Sequence, residues 1–224
     1  MVFSYVFMKI LETRPRSYDR RMDKASRGKV KEIKRSVAAQ VPPGSHTLEI
    51  GCGTGELAAM LVARGCTVDG FDSSPSMVEA SLERIKSESL QESFTVRKMG
   101  VDAMDRLPDS RYDAVVSTLT FSELSDDERR YALENAYRVL QPGGLIIIAD
   151  EVRPRSRAGR FLHALIRMPV VTLTYLISGA TTAPIENLCS ELANAGFSVE
   201  KEERTHGDSF AIISAHKLME QNKQ

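Results

Sequence analysis

The stretch Leu48-Glu49-Ile50-Gly51-Cys52-Gly53-Thr54-Gly55-Glu56-Leu57 constrains the fold more than any other part of the chain, because a short apolar strand runs straight into a glycine turn and then a helix. Glycines 51, 53 and 55 remove the Cβ atoms that keep a ligand off a backbone, and they permit the positive φ values such a turn needs. The turn therefore marks a nucleotide-like cofactor site, with its amide hydrogens expected to face the ligand. The Glu49 carboxylate at the strand's end argues against a phosphate there and for a ligand carrying an ammonium group. A sulfonium amino acid fits that description.

The rest of the chain reads as the fold that places such a turn. At 224 residues there is room for one α/β domain with a sizeable core, and too little for two. Strands are predicted near 46–50, 67–71, 94–98, 113–118 and 144–149. The last of these, Leu145-Ile146-Ile147-Ile148-Ala149, is the continuous apolar run expected of a parallel strand buried on both faces. Helices alternate with them. Ser74 and Pro75 are placed to start one that carries Val78, Leu82 and Ile85 on one face. Ser125 and Glu128 form the capping box of another, with Leu133, Ala136, Tyr137 and Leu140 as its apolar side before Pro142-Gly143-Gly144. A helix near 185–195 should end at Gly196, and the runs Phe197 to Glu202 and Ser209 to His216, joined around Gly207-Asp208, should pair as an antiparallel hairpin at the sheet edge. The expected architecture is Rossmann-like: a seven-stranded, mostly parallel sheet with helices on both faces and a C-terminal antiparallel hairpin.

In an open parallel sheet a ligand sits beyond the carboxyl ends of the strands, where the strand order reverses. Polar residues fall at those positions: Glu49 to Gly55 after the first strand, Asp72-Ser73 after the second, Asp102-Ala103 after the third and Ser117-Thr118 after the fourth. Asp72 lies at the distance from the turn where a carboxylate accepts both hydrogen bonds of a ribose diol. A nicotinamide or flavin fold is the rival, but its third glycine stands three residues after the second, where this chain has Glu56. A glycine-lysine phosphate loop is also absent.

With these residues in place, the chain resembles the class I methyltransferases that use S-adenosylmethionine. The resemblance rests on Leu48 to Gly55, Phe71-Asp72, Val101-Asp102-Ala103, Tyr112-Asp113-Ala114-Val115-Val116 and Arg138-Val139-Leu140-Gln141-Pro142-Gly143-Gly144, and covers about residues 46–150. It implies that Glu49, Gly51, Cys52, Gly53 and Gly55 hold the methionine part. By the same likeness Asp72 and Ser73 hold the ribose, Asp102 and Ala103 the adenine, and Ser117 and Thr118 the floor beside the sulfonium, with Tyr18 closing the pocket. Glu49 replaces the aspartate more usual in that family. The order of parts after the fifth strand, including Ala195-Gly196-Phe197 and Thr205-His206-Gly207, is similar to ubiquinone/menaquinone-type methyltransferases. More finely, Tyr5 to Glu12, Tyr18-Asp19-Arg20, Phe121 to Glu128 and Ala149-Asp150-Glu151-Val152 resemble corrinoid-protein-associated methyltransferases, which implies a corrinoid protein as partner and leaves the acceptor open.

One methyltransferase domain over 1–224 is expected: basic N-terminal helices (1–43), a cofactor-binding core (44–150), an apolar and basic insertion (151–184), and a helix with the terminal hairpin (185–224). The net charge is zero, yet basic residues crowd the N-terminal segment, and from Val152 to Ile185 there are five arginines and no acid. Either segment is a solvated face or a surface for an anionic partner or membrane headgroups. The run from Phe161 to Ile177 is strongly apolar but too short and interrupted to span a bilayer, which takes about 20 apolar residues. It is expected to pack as a lid, receive a hydrophobic acceptor such as a quinone-like lipid, rest at a membrane interface or dock a partner. No aromatic-interleaved basic groove is visible, so a nucleic-acid substrate is disfavoured. Cys52, Cys66 and Cys189 have neither metal-ligand spacing nor a paired framework, so no metal is expected and a cytoplasmic setting is, with peripheral membrane contact as an extension. Methyl transfer from a sulfonium is an in-line displacement that needs alignment more than a base. No catalytic constellation is evident; His163, His206, Tyr18 and Glu123 are the candidates for assistance. A small molecule or cofactor is the expected acceptor, and a binding module without turnover is the reading from another class.

Overall fold

The computed structural model describes residues 17–156, 160, 184–205 and 208–219. Among these, β1 (His46–Ile50), β2 (Thr67–Asp72), β3 (Phe94–Lys98), β4 (Tyr112–Thr118), β5 (Leu140–Glu151), β6 (Phe197–Thr205) and β7 (Phe210–Lys217) form one sheet in the order β3-β2-β1-β4-β5-β7-β6. β1 to β5 run parallel, and β7 lies antiparallel between β5 and β6. This is the expected seven-stranded sheet with a reversed C-terminal hairpin. The chain crosses from β3 at one edge back to β4 beside β1, so the carboxyl ends of β1 and β4 diverge and leave a cleft between the loops that follow them.

Alternation explains why both faces are dry. In β4, Val115 packs on one face while Ala114 and Val116 pack on the other; in β5, Ile146 and Ile148 oppose Leu145 and Ile147. The first face is covered by α5 (Asp126–Val139) and α6 (Leu188–Asn194), the second by α2 (Lys29–Gln40) and α3 (Glu56–Val62). Ahead of α2, α1 (Tyr18–Ser26) ends on Arg27 and Gly28, both left-handed (φ 54° and 82°), which turns the chain sharply between the two helices.

Several local expectations are corrected. In α4 (Pro75–Ser87), Leu82 is 53% exposed, and the buried stripe is Met77, Val78, Ser81 and Ile85. The small Ser81 sits under the turn, where a Cβ on Gly55 would come within 2.7 Å of both Ser81 Oγ and Phe94, so the helix packs too closely there for a leucine. Ser74 occupies the N-cap without a capping bond from its side chain; its amide instead donates to Asp72 Oδ1 at 2.8 Å. The Ser125/Glu128 capping box is present. Leu140 opens β5 instead of closing the helix face, because β5 begins before Pro142-Gly143-Gly144 and absorbs them in a register break between Tyr112 and Ala114. The predicted apolar run 161–177, His163, His206, Gly207 and Tyr5 to Glu12 lie outside the described residues.

Candidate active site

A cavity of about 360 Å³ opens at the carboxyl ends of β1, β2 and β4. One wall is the glycine turn with Asp72 and Ser73, the next is Met99, Gly100, Val101 and Asp102, and the floor is Thr118, Leu119 and Thr120. α1 and α2 close the remaining side with Tyr18, Met22, Val30 and Lys34. Of the residues predicted to hold a cofactor, Tyr18, Gly51, Cys52, Gly53, Asp72, Ser73, Asp102 and Thr118 line this cavity. Glu49, Gly55, Ala103 and Ser117 stand behind the lining. Gly55 lets α4 approach, and Ser117 is a buried strut that donates to the Ile50 carbonyl at 2.9 Å, tying β4 to β1.

The turn's own geometry separates the roles of its glycines. A Cβ at Gly51 (φ 69°) would overlap the Thr120 side chain, whereas one at Gly53 (φ 54°) meets nothing within 4 Å and would stand in open space. Gly53 is thus where a ligand can come closest to the backbone. The amides do not all face outward as expected: Cys52 N donates to Phe71 O at 2.9 Å, Gly53 N to Asp72 Oδ2 at 2.9 Å, and Gly55 N to Cys52 O at 2.9 Å. These bonds hold the turn rigid and aim the Asp72 carboxylate, which takes the Ser74 amide on its other oxygen. The expected ligand contact through amides gives way to a preorganised carboxylate at the cavity wall.

Behind the turn lies an electrostatic tension. Glu49 is 1% exposed, its carboxylate takes the Ala58 amide, and its Oε2 has no hydrogen-bond partner. Burial pushes its pKa up to about 8, only partly offset by the Lys34 ammonium, with Asp72 adding repulsion. Burial together with the Glu49 and Asp72 charges likewise pushes the Cys52 thiol well above its ordinary value. Lys34 lies 2.8 Å from Glu56 Oε2 and, despite the burial of that carboxylate, holds it below the usual range. A cation arriving in the cavity would favour ionisation of Glu49 and meet the Asp72 and Asp102 carboxyl groups of the lining, so the donor set fits a ligand that carries an ammonium or a sulfonium. Sequence reasoning did not single out Lys34, Met99, Gly100 or Thr120, which reach the cavity only because the chain folds. Nor did it single out Leu119, a non-glycine residue held at φ 59° on the cavity floor, the sort of strained backbone that clusters at functional sites.

Beyond the floor the cavity continues to Glu123, Leu124 and Glu128. Glu123 closes the short 3₁₀ turn Phe121–Glu123, which is held from below by Asp150. Asp150 is fully buried and accepts the amide of Ser122 at 3.1 Å; burial raises its pKa against these hydrogen bonds. Hydrogen bonds from the Ser125 side chain and amide keep Glu128 below the ordinary carboxylate range. Among the described residues no group of His, Cys, Asp and Glu is arranged to hold a metal ion, and no helix is long and apolar enough to cross a membrane.

A seven-stranded sheet of this order, with a rigid glycine turn at the switch point, an acidic residue ending β2 and an antiparallel terminal hairpin, defines the class of S-adenosylmethionine-dependent methyltransferases. Comparison with known proteins agrees. Residues 47–144 match the family described as a methyltransferase domain. The chain is 31% identical over 225 aligned residues to a demethylmenaquinone methyltransferase of Symbiobacterium thermophilum, covering 96% of this chain and 86% of that one. It is 33% identical to the demethylmenaquinone methyltransferase of Thermus thermophilus, covering 71% and 77%. An O-methyltransferase family protein from Burkholderia thailandensis shares the fold at a TM-score of 0.69 and 16% identity, over 89% of this chain and 60% of that one. The chain belongs to the class I S-adenosylmethionine-dependent methyltransferases, and within them it is quinone-methyltransferase-like.

Proposed function

We propose that this methyltransferase acts on a small, electron-rich aromatic acceptor of the reduced-quinone type. The observation that carries the reading is the cavity lining, which combines apolar Met22, Val30, Leu119 and Leu124 with the carboxylates Glu123 and Glu128. That pairing suits a flat ring with hydroxyl groups at its edge. The likeness over nearly the whole chain to a demethylmenaquinone methyltransferase supports it, as does the fit of the donor set to a cationic cofactor.

When bound, S-adenosylmethionine supplies an electrophilic methyl group on a sulfonium. In this reading Asp72 and Ser73 hold the ribose, Asp102 and Ala103 the adenine side, and the Gly51 to Gly55 turn the methionine part. Lys34 takes the methionine carboxylate, while Glu49 and Cys52 lie at and behind the turn, and Glu49 supplies negative charge there once the bound cation draws off its proton. Ser117 keeps Thr118 in place on the floor. Glu123 accepts the proton of a ring hydroxyl; Glu128, held more acidic by Ser125, is the poorer base. With that proton on Glu123 the ring would be electron-rich enough to take the methyl group at the carbon beside the oxygen, and the proton displaced from that carbon would return to the ring oxygen to restore the aromatic diol. Tyr18 and Met22 exclude water over this path.

The test is incubation of the purified protein with S-adenosylmethionine and a short-chain reduced naphthoquinone, followed by mass spectrometry. A ring-methylated product with matching S-adenosylhomocysteine is expected, with Glu123→Gln about 100-fold slower at unchanged cofactor affinity. No product from the reduced ring overturns the acceptor assignment.

A second reading keeps the corrinoid partner. It is favoured by one observation: of the described parts of that resemblance, Tyr18, Glu123, Leu124 and Glu128 line the same cavity, and Asp150 supports Ser122 behind it. Co-purification with a cobalamin-binding protein, or methylation that requires one, would bring it ahead of the first. Peripheral membrane contact belongs with the quinone reading. It predicts that the protein floats with anionic vesicles.

A further inference from the structure

We infer that Asp19 is a positioning residue that clasps α1 over the cofactor cleft, so that cofactor exchange requires this clasp to open. The inference rests on the cofactor assignment above. One carboxylate joins three segments: Asp19 Oδ1 accepts the Thr54 hydroxyl at 2.7 Å, and Oδ2 accepts Arg84 Nη2 at 2.5 Å. Arg84, on α4, also donates through Nε to the Thr54 carbonyl at 2.9 Å and through Nη1 to Glu88 at 2.7 Å. The first turn of α1 is thereby fastened to the glycine turn itself.

What lies on either side of Asp19 gives the clasp its consequence. Tyr18 precedes it and Met22 follows one helical turn later, and both line the cavity. Met22 is buried with Val30 in a small cluster flanked by Tyr18 and Leu119, of which only Leu119 also packs against one of the two cores that cover the sheet. α1 is therefore not built into either main core. Its far end is the left-handed pair Arg27 and Gly28, whose amides bond back to Lys24 O and Asp23 O, and Ser26 Oγ accepts the Val30 amide at 3.4 Å across the joint, which in this proposal is the pivot. A helix with a pivot at one end, a small apolar contact in the middle and a charged bond at the other moves as a lid. Both partners of the ion pair are about one-fifth exposed, so the bond strengthens the closed state without being sealed from salt.

The experiment measures the dissociation rate of S-adenosylhomocysteine by stopped flow from wild type, Asp19→Asn, Arg84→Met and the double variant, each at low and high salt, with thermal unfolding alongside. Lys24→Ala, an exposed change on the same helix, is the control. The proposal expects dissociation about tenfold faster in either single variant, no further increase in the double variant, and a salt-dependent rate in wild type that Asp19→Asn lacks. Asp19→Glu should restore part of the slow rate. A lower melting temperature with unchanged dissociation would make the contact merely structural and overturn the proposal. If the wild-type protein holds no S-adenosylhomocysteine, the cofactor assignment fails and this inference with it; if it holds the ligand and the rates do not change, only this inference fails.

Discussion

Glu49 and Asp69 sit on neighbouring strands, one register step apart, since Asp69 pairs with Leu48 and Gly70 with Glu49. The protein treats their charges in opposite ways. Asp69, toward the amino ends of the strands, collects the Thr95 hydroxyl at 2.6 Å, the Tyr112 hydroxyl at 3.0 Å, His46 Nε2 at 3.3 Å and Arg111 at 3.5 Å. Burial acts against its ionised form, yet the Thr95 and Tyr112 hydrogen bonds win and hold it below the ordinary aspartate value. Burial together with the Asp69 charge pushes the Tyr112 phenol up to about 12. Glu49, toward the carboxyl ends, is left with an orphaned oxygen and a pKa of about 8. A carboxylate satisfied by its own chain stabilises the fold; one buried without a full set of partners, behind a cleft, costs stability. The same sheet thus has a finished end and an unfinished one.

The comparison breaks first at Asp69. Asp69→Ala leaves the Thr95 and Tyr112 hydroxyls without their acceptor and should lower stability by about 3 kcal/mol in urea unfolding, with cofactor affinity untouched. Because the folded pKa of Asp69 is depressed, its contribution is present above the unfolded value of about 3.9 and is lost as pH falls through the folded value. Acid unfolding of the wild type should therefore show a loss that the variant lacks. At the other end, Asp72→Ala should weaken cofactor binding by roughly 1–3 kcal/mol in calorimetry, through the lost ribose contacts and the freed Gly53 amide. An equal effect of both variants on binding would erase the distinction between the two ends.

Glu49 sharpens it. Its raised pKa means that the folded state keeps a proton the unfolded chain has released, so stability falls as pH rises from about 4.3 towards about 8. Glu49→Gln should raise stability at pH 8 by about 1–2 kcal/mol. Cofactor affinity in the wild type should climb with pH up to about 8 as Glu49 ionises, by at most about tenfold per unit, and the variant should bind more weakly with that climb removed. A variant that binds as the wild type does at every pH would show that the buried charge has no part in recognition. The smallest effect is expected at Ser125→Ala, which removes one half of the α5 capping box: about 1 kcal/mol in stability, with a slight rise in the Glu128 pKa read by NMR titration.

Much of this was legible before any coordinates. Strand positions followed from apolar runs bounded by turn residues, and the capping box of α5 from a serine and a glutamate three apart. The placement of polar residues after successive strands located the cleft, because a parallel sheet gathers those loops at one end. Errors fell where close approach overruled periodicity. Leu82 has the right spacing for the buried face of α4, but Gly55 and Ser81 bring the helix so near the turn that the stripe shifts to Ser81. The turn amides were expected at the ligand and are mostly spent on Phe71, Asp72 and Cys52. Lys34 looked like one more charge on a basic helix; it became part of the cavity through an ion pair with a residue twenty-two positions away.

The sequence by itself determined the sheet, the glycine turn, the acidic residue after β2 and, through them, the family, because these depend on local backbone preference and on the two-residue period of strands. Which carboxylate is satisfied and which is starved, which turn amides are bonded within the chain, and that one aspartate of the first helix ties it to the glycine turn were decided by the tertiary structure. Those properties arise from groups distant in the chain sharing one low-dielectric space, and burial and partnership exist only once the chain has closed around them.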